Sequence, residues 1–299
     1  MEEILKAPTG IDRLDRDSGG FIPGKTYLIS GGAHTAKTVF AVQFLRKGID
    51  SEENTLLLTD KKPEDFLSVC RDLELDMDNH LKSGQFVLLR YLFQAEDIIR
   101  GEKDLSLLLG ELENFILANR VGRAAIDTAV PLFQMIHKDW FDKGIRILVN
   151  ELEKLGVTLL LTSRMPATQK ALEARNHVEA NASGSIHLDE LVKAGGQTTR
   201  KMTIRKMSHL EPPYPVYEFE IKKGEGITVT SRSSTGMESP RERILTKTKG
   251  KGVSFSREYR TDEPPRDKSP DSGWPGALPK KGKGVSFSDR YDIENKKDS

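Results

Sequence analysis

Between residues 31 and 38 the chain runs Gly31-Gly32-Ala33-His34-Thr35-Ala36-Lys37-Thr38. Small residues followed by a lysine and a threonine suit the holding of phosphate. Upstream, Tyr27-Leu28-Ile29 is a short apolar run that reads as a buried strand. Downstream, Val39, Phe40, Val42, Phe44 and Leu45 continue without a breaker and read as a helix. Strand, small-residue loop, Lys-Thr and helix form the layout of a phosphate-binding loop. Its N–H groups converge on phosphate oxygens, the helix dipole favours negative charge, and Lys37 adds a full positive charge. Thr38 would place its hydroxyl on Mg²⁺. The pattern's glycine before the lysine is Ala36 here. A positive φ at that alanine would cost about 1–2 kcal/mol. His34 adds bulk to the loop. An ordinary strand–turn–helix with an incidental Lys-Thr is the competing reading.

A second candidate is Asp127, which closes the apolar run Ala124-Ala125-Ile126. A carboxylate at that place can bind Mg²⁺ directly or through water; otherwise it caps a turn.

These groups need a scaffold, and the apolar pattern supplies one. Short helices are expected around 11–16 and 96–99. Longer ones are expected from Pro63, over 104–118 and over 140–155. Leu105, Leu108, Leu109, Leu112, Phe115 and Ile116 share a helical face. So do Ile145, Leu148, Val149, Leu152 and Leu155. Strands are expected at 54–60, 85–90, 123–127 and 157–163. Alternating strands and helices make an α/β fold with a mainly parallel sheet and right-handed crossovers. From 183 the alternation stops. Residues 186–188, 201–206, 217–221 and 226–230 read as consecutive strands, an antiparallel extension.

The chain has 299 residues, 36% hydrophobic and 30% charged, which suits a core in part of its length. Cys70 is the one cysteine, so no disulfide can form within the chain. It is expected to be a buried small hydrophobe. The start, Met1-Glu2-Glu3-Ile4, lacks the apolar region of a signal peptide, and no apolar run approaches a membrane span. A cytoplasmic setting is the expectation.

Composition divides the chain near residue 230. Residues 231–299 carry 16 Lys and Arg against 11 Asp and Glu, a net +5, which leaves −4 on residues 1–230. Ser, Pro, Gly and Lys dominate this tail and apolar periodicity disappears, so it reads as disordered. Within it, Lys249-Gly250-Lys251-Gly252-Val253-Ser254-Phe255-Ser256 recurs unchanged at 281–288, with Tyr259 and Tyr291 at matching places. Two tethered copies of a short motif fit a protein partner bound with avidity. A duplicated linker without function is the alternative.

Taken together, the chain resembles the KaiC-like branch of the RecA superfamily over residues 1–230. The likeness is carried by Thr9-Gly10-Ile11-Asp12-Arg13-Leu14-Asp15 with Gly19-Gly20, by the loop at 31–38, by Pro63-Glu64-Asp65-Phe66-Leu67, by Ala125-Ile126-Asp127-Thr128 and by Gly156 to Ser163. Tyr217 to Ile221 and Gly224 to Val229 resemble the family's closing strands. The resemblance implies a RecA-like fold, ATP and Mg²⁺ bound at subunit interfaces, and a homo-oligomer, often a hexameric ring.

Three departures from the family pattern bear on hydrolysis. Ala36 replaces the glycine before Lys37. The family's paired glutamates, one of which polarises the attacking water, fall on Asp60-Lys61. Asp60 is one methylene shorter than glutamate, while a base must come within about 3 Å of its water. Lys61 reverses the charge at the second place. The family's Lys-x-Arg, which reaches the neighbouring subunit's ATP, aligns with Lys206-Met207-Ser208, so Ser208 lacks the cation that stabilises γ-phosphate charge. The leading expectation is an ATP-binding regulator with weak or lost hydrolysis, acting through a protein partner held by its tail. Against it stand a working ATPase with Asp60 as base and Lys206 as the trans cation, a recombination accessory protein, and a scaffold that has lost nucleotide. DNA binding is disfavoured by the acidic body and by the lack of basic-aromatic clustering.

Overall fold

The computed structural model describes residues 6–90, 102–127, 141–165, 169–192 and 198–233. In chain order the elements are α1 (Asp12–Ser18), β1 (Thr26–Gly31), α2 (Lys37–Asp50), β2 (Asn54–Thr59), α3 (Pro63–Asp72), α4 (Met77–Ser83), β3 (Phe86–Arg90), α5 (Glu102–Ala118), β4 (Val121–Asp127), α6 (Phe141–Lys154), β5 (Thr158–Arg164), α7 (Gln169–Asn181), β6 (Gly184–Val192), β7 (Thr198–Met207), β8 (Val216–Lys222) and β9 (Gly226–Ser233). The expected helix at 96–99 and the repeats at 249–256 and 281–288 lie outside the described residues, as do the side chains of Leu105, Leu108, Ile145 and Leu148. Two helices, α4 and α7, had no counterpart in the sequence reading.

The strands form one sheet in the order β3-β2-β4-β5-β1-β6-β7-β8-β9. The six from β3 to β6 are parallel, and the last three add on in antiparallel fashion. The fold is α/β with a mainly parallel sheet, as the alternation of apolar segments required, and RecA-like, as the resemblance implied.

Parallel strands are buried on both faces, so their side chains divide between two cores. Tyr27 and Ile29 of β1 join α1, α2 and α3 on one face, while Leu28 joins Leu109, Leu112 and Ile116 of α5 and Val149 and Leu152 of α6 on the other. Cys70 lies in the first of these cores, and burial pushes its thiol up to about 12, which leaves it an inert hydrophobe.

Near the N-terminus, Asp15 accepts hydrogen bonds from Thr9 N (2.8 Å), Thr9 Oγ1 (2.7 Å) and Gly10 N (3.0 Å). The Thr-Gly-Ile-Asp-x-Leu-Asp stretch therefore folds its own turn at the head of α1. The closing strands hold α2. Gln43 Nε2 donates to Glu225 O at 2.8 Å and Ile227 O at 3.2 Å, and its Oε1 accepts from Ile227 N at 2.7 Å. One buried amide thus fixes the helix that opens at Lys37 against β9.

Candidate functional site

In a parallel sheet every strand ends on the same edge, and ligands bind beyond those carboxyl ends. Here β1, β2, β4 and β5 deliver the 31–38 loop, Lys61, Asp127 and Arg164 to one edge. Ala33, His34, Thr35, Ala36, Lys37, Thr38, Lys61, Asp127 and Arg164 line one cavity of about 470 Å³, together with Val39 and Ile221. That volume falls in the range of about 300–1,000 Å³ typical of small-molecule pockets.

The loop leaves β1 under a tight constraint. A Cβ on Gly31 would stand 2.3 Å from Leu188 O of β6 and 2.5 Å from Thr35 Oγ1, so only glycine fits. Two non-glycine residues then take positive φ, His34 at 59° and Ala36 at 73°. Ala36 thus takes the left-handed conformation, and its cost of about 1–2 kcal/mol is carried by a well-packed helix behind it. His34 is exposed at the loop's tip. The N–H groups of Lys37 and Thr38 open α2, and its N-cap residue, Ala36, has no side-chain cap. Orphan amides at a helix N-terminus are an anion cradle.

Lys37 folds back onto this loop. Its Nζ donates to the carbonyl of Gly31 at 3.1 Å, to that of Gly32, and to Thr35 Oγ1 at 3.3 Å. Burial lowers its pKa from 10.5 to about 8; Asp127 opposes that shift, and the cations Arg164 and Lys61 add to it. Three cations and one carboxylate line the cavity, so its balance favours an anion.

Asp127 is 2% exposed and fully engaged. Its Oδ1 accepts from Thr162 Oγ1 at 2.8 Å. Its Oδ2 accepts from Thr38 Oγ1 at 3.1 Å and from Lys61 Nζ at 2.6 Å. Lys61 Nζ also donates to Thr38 Oγ1 at 3.1 Å. Thr38 and Asp127, expected to share Mg²⁺, therefore do come together, but an ammonium group sits on both. A divalent ion about 3 Å from that ammonium would be repelled by roughly 11 kcal/mol at an effective dielectric of 20. As the side chains stand, the pair does not fit the metal.

The remaining candidates stand apart from the cavity lining. Asp60 follows β2 directly, and its Oδ1 is buried with no hydrogen-bond partner among the described residues. Lys206 on β7 donates to Glu179 O at 3.3 Å and Ala180 O at 2.9 Å, the final turn of α7. Sequence reasoning missed Arg164, whose only signal was a basic residue ending an apolar strand. It noted Lys61 as a charge reversal without seeing where the charge goes. Behind the loop, Ser30 Oγ and His187 Nδ1 lie 2.9 Å apart, and His187 Nε2 is 3.0 Å from Asp189 Oδ1. Ser30 and His187 are buried between β1 and β6, Asp189 is half exposed, and the chain of bonds steadies the strand that leads into the loop.

The family model described as "ATPase: KaiC" matches residues 7–234, and the chain belongs to that family. Among similar curated proteins is the circadian clock oscillator protein KaiC of Thermostichus vulcanus, 28% identical over 251 residues, which are 78% of this chain and 47% of that protein. The circadian clock protein KaiC3 of a Synechocystis species is 28% identical over 245 residues, 79% of this chain and 47% of its own length. KaiC of Synechococcus elongatus is 28% identical over 227 residues, 72% and 43% of the respective lengths. The chain thus spans about half the length of the curated relatives it matches. No helix among the described residues is long and apolar enough to cross a membrane.

Proposed function

We propose that residues 6–233 form a nucleotide-binding module that takes the phosphates of ATP on the loop 31–38, with weak or absent hydrolysis. One observation carries the reading. The 31–38 loop, the uncapped N-terminus of α2 and Lys37 face a cavity of about 470 Å³ lined by two further cations, Lys61 and Arg164. Membership of a family described as ATPases supports the same ligand. The binding role falls to the backbone from Gly31 to Thr38 and to Lys37, which would turn from the carbonyls of Gly31 and Gly32 to the phosphates. Slow turnover is supported by Lys61, which places positive charge where the family carries a carboxylate, and by Asp60, which is outside the cavity lining.

The reading extends to the rest of the chain. The module acts as a homo-oligomer, and the repeats at 249–256 and 281–288 hold a protein partner. In a second reading Asp60 is a working base and Lys206 serves a neighbouring copy. The orphaned, buried Oδ1 of Asp60 favours that reading, because unpaired buried carboxylate oxygens are costly and cluster at functional sites.

Calorimetric titration of the full chain with ATP tests the first reading, with Lys37→Ala as the control. Loss of a charge-assisted hydrogen bond predicts affinity about 10- to 100-fold weaker in the variant. No heat from the parent, or equal affinity in both proteins, refutes the site. Phosphate release by the parent above that of Lys37→Ala decides for the second reading.

A further inference from the structure

The notch between Thr38 and Asp127 already contains a cation. Lys61 Nζ lies 3.1 Å from Thr38 Oγ1 and 2.6 Å from Asp127 Oδ2, inside the cavity that the phosphate loop lines. The fit is built rather than incidental. Asp127 is 2% exposed, and its other oxygen is occupied by Thr162. A buried carboxylate must be paired, and Lys61 is its charged partner. The lysine is held from its own backbone as well, since Lys61 N donates to Thr59 Oγ1 at 3.2 Å. Thr59 in turn is the register partner of Asp127 in the parallel pair β2–β4.

We propose that Lys61 is a tethered cation that takes the place of the divalent metal, so that this site binds a nucleoside triphosphate without Mg²⁺. This rests on the nucleotide reading above. A metal-free triphosphate carries more negative charge than its magnesium complex. Lys37, Lys61 and Arg164 supply the offset from side chains, with the Lys61 ammonium bridging Thr38, Asp127 and the phosphate oxygens. A tethered ammonium is bound to the chain and cannot be chelated away. It also lacks the ordered water shell and Lewis acidity with which a metal assists hydrolysis, so the same substitution favours holding nucleotide over turning it over.

The test is binding of ATP to the full chain in EDTA and in millimolar MgCl₂. The parent is expected to bind with affinities within about threefold of each other, whereas a metal-dependent site would lose well over tenfold in EDTA. The Lys61→Ala variant is expected to weaken about tenfold or more in EDTA and to recover with MgCl₂, because the emptied notch then admits the ion. A separate readout needs no nucleotide: MgCl₂ alone raises the unfolding midpoint of Lys61→Ala and leaves that of the parent unchanged. The parent measurement stands even if the variant fails to fold. Binding by the parent only with MgCl₂ overturns the substitution and leaves the nucleotide site intact. Absence of binding in both buffers overturns the nucleotide reading, and the substitution with it.

Discussion

Replacing Lys37 by methionine should strengthen the nucleotide-free protein while disabling it. Burial, with help from Arg164 and Lys61, lowers the Lys37 pKa from 10.5 to about 8. A fall of that size corresponds to roughly 3 kcal/mol held against the charged folded state near neutral pH. Partial solvent access and the hydrogen bonds to Gly31 O and Gly32 O return part of it. A net gain of about 1–2 kcal/mol is expected for an unbranched apolar side chain one atom shorter, or roughly 2–8 °C in unfolding midpoint for a domain of this size. The pH dependence has a definite sign. Because the folded pKa is depressed, the unfolded chain binds the extra proton between pH 8 and 10.5, so the parent gains stability as pH rises through that window. The advantage of Lys37→Met should be full below about pH 8 and gone near 10.5. Thermal unfolding of both proteins from pH 7 to 10.5, with and without ATP, provides the assay. The parent should shift upward with ATP and the variant by less. A variant no more stable than the parent at pH 7, or one that ATP protects equally, would refute the reasoning.

Three further outcomes are expected. Ala36→Gly removes the cost of a left-handed alanine at φ 73° and should raise stability by about 1 kcal/mol in denaturant unfolding, with ATP affinity retained. His187 has a pKa held below 6.5 by burial and by the charge of Arg205, so the folded state resists its protonation. The parent should therefore lose stability relative to His187→Gln as pH falls below 6.5, while a constant difference across pH 5–7 would exclude the effect. Deleting 235–299 should leave the unfolding midpoint unchanged. Deleting from 231 should lower it, because β9 runs to Ser233 and Arg232 pairs with Asp17 at 3.3 Å.

The parallel half of the sheet was legible because its strands are continuous apolar runs between helices of clear period. Helix α7 was not, since among the described residues its Val178 and the following Ala182 alone join the core while much of its length is polar. The short α4 was hidden for a similar reason: it buries Met77 alone and is held by Asp76 at its N-cap. The end of β9 was read as residue 230 because composition turns polar there, yet an outer strand needs only backbone pairing to continue to Ser233.

By itself the sequence determined the small-residue loop that opens a helix at Lys37, the strand-end carboxylate and the family, because each can be read from short stretches of the chain. What Lys61 does was decided only by tertiary structure. Residues 38, 61 and 127 are far apart in sequence, and they meet because β2 pairs with β4 in the register that sets Thr59 beside Asp127. The charge reversal after β2 was visible as a letter. That it neutralises a buried carboxylate follows from strand order, and strand order is fixed by how the two hydrophobic faces are covered.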